Sequence, residues 1–384
     1  MREFIKRGAV IFWTLVAFII SQGTASSAEI NIGFTGPLTG PAAYIGIDSV
    51  HGLQIAAKEL NDEGGVEVAG KKYTVNIRPY DDEGNAAKAV AGMQRLKDRY
   101  DVPAIFQGLS GAIMGMLERN EKLNVLLFGY FKHPKATTIG NKLVLRMDPT
   151  FQDEAGGLAA SIVKIVKPKS YATISELGDY GKNFTSFYKD FFEKNGVQLV
   201  ATEWLDGRTQ TDFRGQLTKI KAAKPDVIMM TAYDEASAGV IKQAHELDIK
   251  IPFALTSGFQ SVGEKMTGTA LIEGYYKPIS RFQEDPLPYS VDRYKNQLYP
   301  KMGYKEPSGP YGLGTYGQLL VIIKAMKHAG TTTDPLKIRQ SVPLVLPMEE
   351  KHNIHGYQAF EENGDARVSY PIGRYHNGKL VVVK

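Results

Sequence analysis

The chain has 384 residues, with 46 Lys and Arg against 41 Asp and Glu, a formal net charge of +5 and no cysteine. The lack of cysteine excludes disulfide bonds and thiolate metal sites, and the mild charge, without a stripe of Lys or Arg, gives no support for nucleic-acid binding. A chain of this length is too long for one typical domain and predicts two lobes.

The first 28 residues are typical of a secretory signal peptide. A positively charged start at residues 2–7 is followed by an apolar stretch at 8–20 and by small, polar residues at 21–28, which predicts cleavage after Ala28. The apolar stretch is shorter than the ~20 residues that a membrane-spanning helix needs. We therefore expect an exported, soluble protein of the periplasm.

Strands and helices alternate between residues 30 and 255. Apolar runs predict strands at 30–35, 73–79, 104–106, 125–128, 171–175, 197–204, 226–231 and 251–255. Helical spacing predicts helices at 50–60, 86–96, 114–122, 183–195, 213–223 and 236–247, the fifth of them preceded by Asp212 as N-cap. This alternation indicates parallel sheets, and the units are too many for one sheet of usual size.

The pattern changes after residue 276. Helices are predicted at 288–299, 317–329 and 335–340, and short antiparallel strands at 356–360, 368–375 and 380–383. The two turns between these strands are Asn363-Gly364 and Asn377-Gly378, and Asn-Gly between apolar runs is a strong hairpin signal.

Several short motifs follow one another in a specific order along the chain. They are Ile32-Gly33, Thr39-Gly40, Asp81-Asp82-Glu83, Asp179-Tyr180-Gly181, Thr211-Asp212-Phe213, Lys242-Gln243-Ala244 and Phe360-Glu361-Glu362-Asn363-Gly364. With this series, the chain after residue 28 resembles the periplasmic solute-binding proteins of ABC importers, in the leucine/isoleucine/valine-binding branch.

The resemblance implies an α/β fold of two lobes, each a mainly parallel sheet flanked by helices, with three hinge crossings between them. Lobe 1 would comprise residues 29–147 and 278–346, and lobe 2 residues 148–277 and 347–384. A small solute would bind in the cleft beyond the carboxyl ends of the strands, and the lobes would close on it.

The resemblance also implies which residues bind the solute. Lobe 1 would contribute Tyr44, Ser110, Tyr130 and Lys132, and lobe 2 would contribute Tyr180, Tyr233 and Ser257. We further expect Phe131 and Phe259 to offer aromatic surface to the ligand.

Two departures from the family pattern bear on the ligand. The loop after residues 125–128 carries Tyr130, Phe131 and Lys132 in place of small residues and Thr, and Ser257 stands where lobe 2 has an acid. An ammonium buried without a counter-ion costs about 3–5 kcal/mol, whereas Lys132 suits a carboxylate. The sequence thus favours a carboxylate-bearing solute, an organic or aromatic acid.

Two alternatives remain open at this stage. Lys132 could extend to solvent while Phe131 packs inside lobe 1. Asp179 or Asp234 could pair with a ligand ammonium, which would leave a branched-chain or other amino acid as the ligand.

Other functional classes lack support in the sequence. The motif Gly312-Leu-Gly-Thr-Tyr-Gly317 follows a Pro/Gly-rich loop rather than a strand, which argues against a dinucleotide site. Ser110 has no His/Asp pair suited to a nucleophile, and His352 and His355 lack metal-site spacing. We expect no enzyme activity, cofactor or metal, and a monomer that serves an inner-membrane ABC permease rather than a ligand-sensing regulator.

Overall fold

The computed structural model describes residues 28–133, 135–207, 209–279, 281–283, 286–305, 307, 309–368 and 371–383. The predicted signal peptide therefore lies outside the described residues except for Ala28, which begins the first strand. In the described part of the chain, no helix is long and apolar enough to cross a membrane.

The first sheet has six strands in the order β2-β3-β1-β4-β5-β6. All neighbours are parallel except β2 and β3. The strands are β1 Ala28–Gly36, β2 Val66–Val68, β3 Lys71–Asp81, β4 Ala104–Gln107, β5 Leu126–Gly129 and β6 Val144–Arg146.

The second sheet has seven strands in the order β15-β14-β11-β10-β9-β7-β8. Five strands run parallel, and β14 and β15 form an antiparallel edge. The strands are β7 Ser170–Glu176, β8 Gln198–Leu205, β9 Val227–Thr231, β10 Phe253–Leu255, β11 Tyr276–Pro278, β14 Ile372–His376 and β15 Lys379–Val382. A separate two-stranded ribbon pairs β12 Ala359–Phe360 with β13 Ala366–Arg367.

Helices cover both faces of each sheet. They are α1 Ala43–Asp62, α2 Ala86–Tyr100, α3 Ser110–Met116, α4 Lys135–Thr138, α5 Phe151–Ile165, α6 Asp179–Lys194, α7 Arg214–Ala223, α8 Asp234–Glu246, α9 Ser261–Thr267, α10 Tyr289–Arg293, α11 Tyr299–Lys301, α12 Tyr311–Ala329 and α13 Pro335–Ser341, with a π-helical turn over Tyr294–Leu298. Four apolar clusters result, one on each face of each sheet. The predicted two-lobed α/β fold is confirmed, because each sheet has its own pair of cores.

The Gly-rich segment that matches a dinucleotide fingerprint lies inside α12. A Cβ on Gly52 of α1 would come within 1.9 Å of the Gly312 carbonyl oxygen, so the small residues let two core helices approach closely. The hairpin predicted at Asn377-Gly378 joins β14 to β15, and both turn residues have positive φ (51° and 74°), as a type I′ turn requires.

One predicted helix is misplaced. Residues 114–122 were expected to be helical, but α3 occupies Ser110–Met116 and residues 117–124 form turns. Leu117 and Asn120 are buried here, and Asn120 Nδ2 donates to the backbone carbonyls of Val125 and Leu143. The side-chain bonds of Asn120 stabilise a turn where the apolar spacing alone indicated a helix.

The lobe boundaries stay a prediction, although packing bears on the third crossing. Ile354, Tyr357 and Phe360 lie in the first sheet's core, and Arg146 Nη2 donates to Asp365 Oδ2 at 2.7 Å. We propose on this ground that the third crossing follows residue 367, rather than residue 346 as the family resemblance implied.

Candidate functional site

The site lies between the two sheets, where loops follow the carboxyl ends of their central strands. The first lobe presents the loops after β4 and β5, and the second lobe presents those after β7, β9 and β10. Parallel strands end at one edge of a sheet, so these loops meet across a cleft. The topology thereby explains why residues far apart in sequence form one wall.

Two adjoining cavities fill the cleft, of about 110 and 80 Å³. They share Tyr130, Lys132, Ser257 and Tyr311. The larger is lined also by Asp148, Gln260, Pro278, Arg281, Pro310, Leu313, Gly314, Ile354 and His355. The smaller is lined also by Ile45, Gly108, Leu109, Ser110, Phe151, Tyr180, Tyr233 and Gly258. The smaller cavity is the more aromatic of the two.

Lys132 connects the lobes. Its ammonium donates to the Glu154 carboxylate and, at 2.8 Å, to the Ser257 hydroxyl, both in the second lobe. Asp148 Oδ2 lies 3.5 Å from the same nitrogen. Lys132 therefore faces the cavities rather than solvent, with a side chain only 13% exposed.

Burial on its own would lower the pKa of the Lys132 ammonium, but the charges of Glu154 and Asp148 outweigh it and raise that pKa. Opposite charges at contact distance favour the charged form even where water is scarce. Lys132 is thus a stable cation in the wall of the cleft.

Glu154 is a buried acid of the second lobe that was not among the residues predicted from the sequence. It lies in the first turn of α5, its side chain is 1% exposed, and it accepts from the Ser257 N–H (2.6 Å) and hydroxyl (2.7 Å). One sequence signal points to Glu154. It precedes Leu158 by four residues and therefore lies on the apolar face of α5, and an acid on such a face is buried only when it has a partner.

Tyrosines from both lobes form the remaining walls. In the first lobe, the Tyr130 ring lies 5.8 Å from Tyr311. The predicted site residue Tyr44 lines neither cavity but meets Tyr311 edge-on at 6.2 Å. In the second lobe, Tyr180 and Tyr233 are stacked with centroids 4.9 Å apart. Burial raises the pKa of the Tyr130, Tyr180 and Tyr233 phenols, so they keep their hydrogens as donors at neutral pH.

Ser110 begins α3 and lines the smaller cavity. Its hydroxyl oxygen accepts the Lys132 backbone N–H at 3.0 Å, which leaves its own hydrogen available to a ligand. The adjacent Gly108 makes room for Tyr130, since a Cβ there would lie 2.4 Å from that ring. The loops after β4 and β5 are therefore fitted to each other.

Buried polar residues hold these loops from behind. Gln107 Oε1 accepts the Leu109 N–H at 2.8 Å, while its amide nitrogen donates to Thr35 and Asp82. Arg146 is 1% exposed and donates to the His133 carbonyl at 2.7 Å. The backbone on either side of Ser110 and Lys132 is thereby fixed.

Four expectations from the sequence need correction. Phe131 and Phe259 do not line the cleft, because both are fully buried in the cores of their own lobes. Asp179 is exposed to solvent. Asp234 is 0% exposed, and its Oδ1 accepts the N–H groups of Gln260 and Gly263. Neither Asp179 nor Asp234 lines the two cavities, whereas Asp148 lines the larger one.

Two further residues of the larger cavity went unrecognised. Arg281 donates to the Asn353 carbonyl at 2.7 Å. Burial lowers the pKa of His355, whose Nε2 lies 2.9 Å from the Gly314 carbonyl oxygen, so its imidazole is neutral at pH 7. Within the described residues, no group of three His, Asp or Glu side chains could hold a metal ion.

Comparison with known proteins agrees with this architecture. The sequence profile of a periplasmic binding protein family matches residues 29–349. Leu/Ile/Val-binding protein homolog 3 of Brucella melitensis is 25% identical over 95% of this chain and 97% of its own length. An amino acid binding protein of Pseudomonas aeruginosa is 26% identical over 94% and 96%. All of these relatives are binding proteins rather than enzymes.

Solved structures share the fold. The branched-chain amino acid binding protein LivJ of Streptococcus pneumoniae, in complex with isoleucine, superposes with a TM-score of 0.79 at 20% identity and covers 93% of this chain and 99% of its own. A solute-binding protein of R. palustris in complex with 4-hydroxybenzoate gives a TM-score of 0.78 at 18% identity over 93% and 96%. At these identities the likeness establishes the fold alone.

Proposed function

The chain belongs to the periplasmic binding protein family, and from this premise we propose that it captures a small carboxylate-bearing solute, an organic or aromatic acid, for an ABC importer. One observation carries the proposal: a cavity walled by tyrosines is also lined by Ser110 and Lys132, and the Lys132 backbone N–H donates to the Ser110 hydroxyl. Such a cavity suits a molecule with a flat or apolar body and a single anionic end.

The anionic end would bind at the start of α3. Ser110 can donate its hydroxyl hydrogen, and the first N–H groups of a helix have no carbonyl partner within it. Lys132 lines the same cavity and brings a positive charge to its wall. Bonds from such donors to a carboxylate are charge-assisted and about twice as strong as neutral ones.

The body of the solute would lie between tyrosines of the two lobes. Tyr130 and Tyr311 come from the first lobe, and Tyr180 and Tyr233 from the second. Aromatic rings in offset or edge-on contact add roughly 0.5–1.5 kcal/mol per pair beyond the buried area. A solute held by both sets would favour lobe closure, since an open cleft offers only one of them.

A branched-chain or other amino acid is the second candidate. Asp148 lines the larger cavity and could accept a ligand ammonium, and several relatives are named for binding leucine, isoleucine and valine. An amino acid differs from the corresponding organic acid by its ammonium group, so titration with both kinds of compound distinguishes the two candidates.

Isothermal titration with 4-hydroxybenzoate, benzoate, leucine and isoleucine tests the proposal. We expect the aromatic acids to bind, and Ser110→Ala to weaken them roughly tenfold or more, because a hydrogen bond to a charged group contributes about 1.5–3 kcal/mol. Ser161→Ala is a matched control, since its hydroxyl donates to the Gly157 carbonyl of its own helix. Tight leucine binding without any heat from the acids would overturn the proposal.

We infer a periplasmic location after cleavage behind Ala28, and delivery of the solute, by a monomer, to an inner-membrane permease. Lobe 1 would comprise residues 29–147 and 278–367, and lobe 2 residues 148–277 and 368–384. The ligand contacts would come from Tyr44, Ser110, Tyr130, Lys132, Tyr180, Tyr233 and Ser257. Mass spectrometry of the purified protein would identify a retained solute directly.

A further inference from the structure

The second lobe has a buried acid at the cleft, but its acceptor positions are occupied by the protein itself. Glu154 Oε1 accepts the Ser257 N–H, and Oε2 accepts both the Ser257 hydroxyl and the Lys132 ammonium. With its side chain 1% exposed, Glu154 offers no oxygen to a solute.

The cation that satisfies Glu154 comes from the opposite lobe. Lys132 belongs to the loop after β5 and reaches across to Glu154 and Ser257 while lining both cavities. An ammonium group of the protein is therefore already bound at Glu154, so a solute ammonium could not pair with that carboxylate.

We propose that Lys132 is a specificity-determining residue: its ammonium occupies the cation position at Glu154, so that the cleft accepts carboxylates without an amino group and rejects α-amino acids. This inference rests on the proposed function, because it concerns the same cavity. It adds a reason why amino acids would be excluded: the ammonium of Lys132 takes the position beside Glu154 that the ammonium of an amino acid would otherwise occupy.

Two physical effects produce the rejection. A solute ammonium would approach the like charge of Lys132 in a poorly hydrated cavity, and it would find Glu154 already bonded. Building an unpaired charge against the wrong partner is a common route to specificity. A des-amino acid of the same carbon skeleton avoids both effects and keeps its contact with Ser110.

Removal of the internal cation should reverse the preference. Lys132→Ala leaves Glu154 buried without a counter-ion and opens space beside it. A small alkylammonium ion should then bind and restore the pair. The double variant Lys132→Ala/Glu154→Gln has the same space without the charge, and is the matched control.

The first experiment needs no knowledge of the natural solute. Thermal unfolding is followed with propylammonium chloride, against sodium chloride at equal ionic strength. We expect the amine to raise the Tm of Lys132→Ala well above its effect on the wild type and on the double variant. Equal shifts in the single and double variants, or a single variant that does not fold even with the amine, would overturn the inference.

The second experiment uses the wild type with matched ligands. Leucine is compared with 4-methylpentanoate, and phenylalanine with 3-phenylpropanoate, by isothermal titration. We expect each des-amino acid to bind at least roughly a hundredfold more tightly than its amino acid, the lower end of what an unpaired buried charge costs. Tighter binding of either amino acid would contradict the inference.

The two proposals fail in different ways. If the wild type binds no carboxylic acid and Ser110→Ala changes nothing, the proposed function fails, while amine rescue of Lys132→Ala still reports on Glu154. If acids bind but Lys132→Ala gains nothing from propylammonium, the proposed function stands and the role given to Lys132 is wrong.

Discussion

Two buried lysines show how differently one side chain can be used within this protein. Lys132 lies in the cleft with Glu154 in contact and Asp148 3.5 Å away. Lys277 lies inside the second lobe, 0% exposed, where it donates to the Phe259 carbonyl at 2.6 Å and is 3.4 Å from Glu264. The pKa of Lys132 is raised, whereas burial lowers the pKa of Lys277.

The two lysine pKa values shift in opposite directions because the two ammonium groups differ in their contact with a carboxylate, and not only in their burial. Glu154 Oε2 is in direct contact with Lys132 and also accepts the Ser257 hydroxyl, whereas Glu264 Oε1 lies 3.4 Å from Lys277 and also accepts from Gln283 and Tyr375. Desolvation lowers a lysine pKa unless a carboxylate at contact distance compensates for it. The cleft thus holds a fixed cation, and the interior holds a lysine that is costly to charge.

The same substitution in both acids should give the largest contrast. Glu154→Gln removes the main counter-charge of Lys132 and should lower the free energy of unfolding by about 3–5 kcal/mol, as for other broken buried pairs. Glu264→Gln keeps its acceptor oxygen and loses only a long, shared contact, so about 1 kcal/mol is expected. Urea midpoints at unchanged m-value measure both, and equal losses would refute the contrast.

The buried Asp234 carboxylate of the second lobe should have the next largest effect, on the pH dependence of the free energy of unfolding. Burial raises the pKa of Asp234 from its ordinary 3.8 to about 6. The folded state then binds more protons than the unfolded state between these values, so stability should fall as pH rises from about 4 to about 6. A difference of about two pKa units corresponds to roughly 3 kcal/mol at most.

Asp234→Asn tests this effect with little change in hydrogen bonding, because Asn keeps the Oδ1 that accepts from Gln260 and Gly263. We expect the fall in unfolding free energy from pH 4 to pH 6 to be smaller in the variant than in the wild type. If both proteins show the same decline, another group is responsible for it.

The fold could be predicted because its signals are local. Apolar runs of strand length, each followed by a helical repeat, occur in both lobes, and Asn377-Gly378 specifies its hairpin by backbone conformation alone. The loops of the site could be placed too, since ligands bind beyond the carboxyl ends of parallel strands. Tyr130, Lys132, Tyr180 and Tyr233 all line the cavities for this reason.

The contacts within the site could not be predicted, because they join distant segments. Glu154 and Ser257 are 103 residues apart, and no local pattern pairs them. Phe131 and Lys132 are neighbours in an irregular loop, where strand alternation no longer says which side chain faces the cleft. Phe131 packs in the core, and Lys132 lines the cavities of the cleft.

At high pH, the two lysines should change the free energy of unfolding in opposite directions. The raised pKa of Lys132 contributes stability that is fully present below pH 10.5 and is lost as pH rises through the folded-state value. The lowered pKa of Lys277 does the opposite, because stability increases with pH between its folded-state value and 10.5.

The unfolding free energies of Lys132→Met and Lys277→Met are measured between pH 8 and pH 11, and each is subtracted from the value of the wild type. The pH dependence of the two differences checks these signs. The Lys132 difference should decrease with pH above 10.5, and the Lys277 difference should increase below it. Two slopes of the same sign would mean that the two sites do not differ as described.

The smallest expected effect is the coupling energy between Lys132 and Asp148, the more distant of its two carboxylates. Asp148 Oδ2 lies 3.5 Å from the ammonium, too far for a good hydrogen bond, so the coupling of Lys132 to Asp148 should be weaker than its coupling to Glu154. A double-mutant cycle of Lys132→Met with Asp148→Asn measures it, and the cycle with Glu154→Gln provides the reference. We expect the Glu154 coupling to be several times larger, because Glu154 makes the direct bond across the lobes. If the Asp148 coupling equals it, the cation is held jointly, and Lys132→Ala should then expose two acids to a solute amine rather than one.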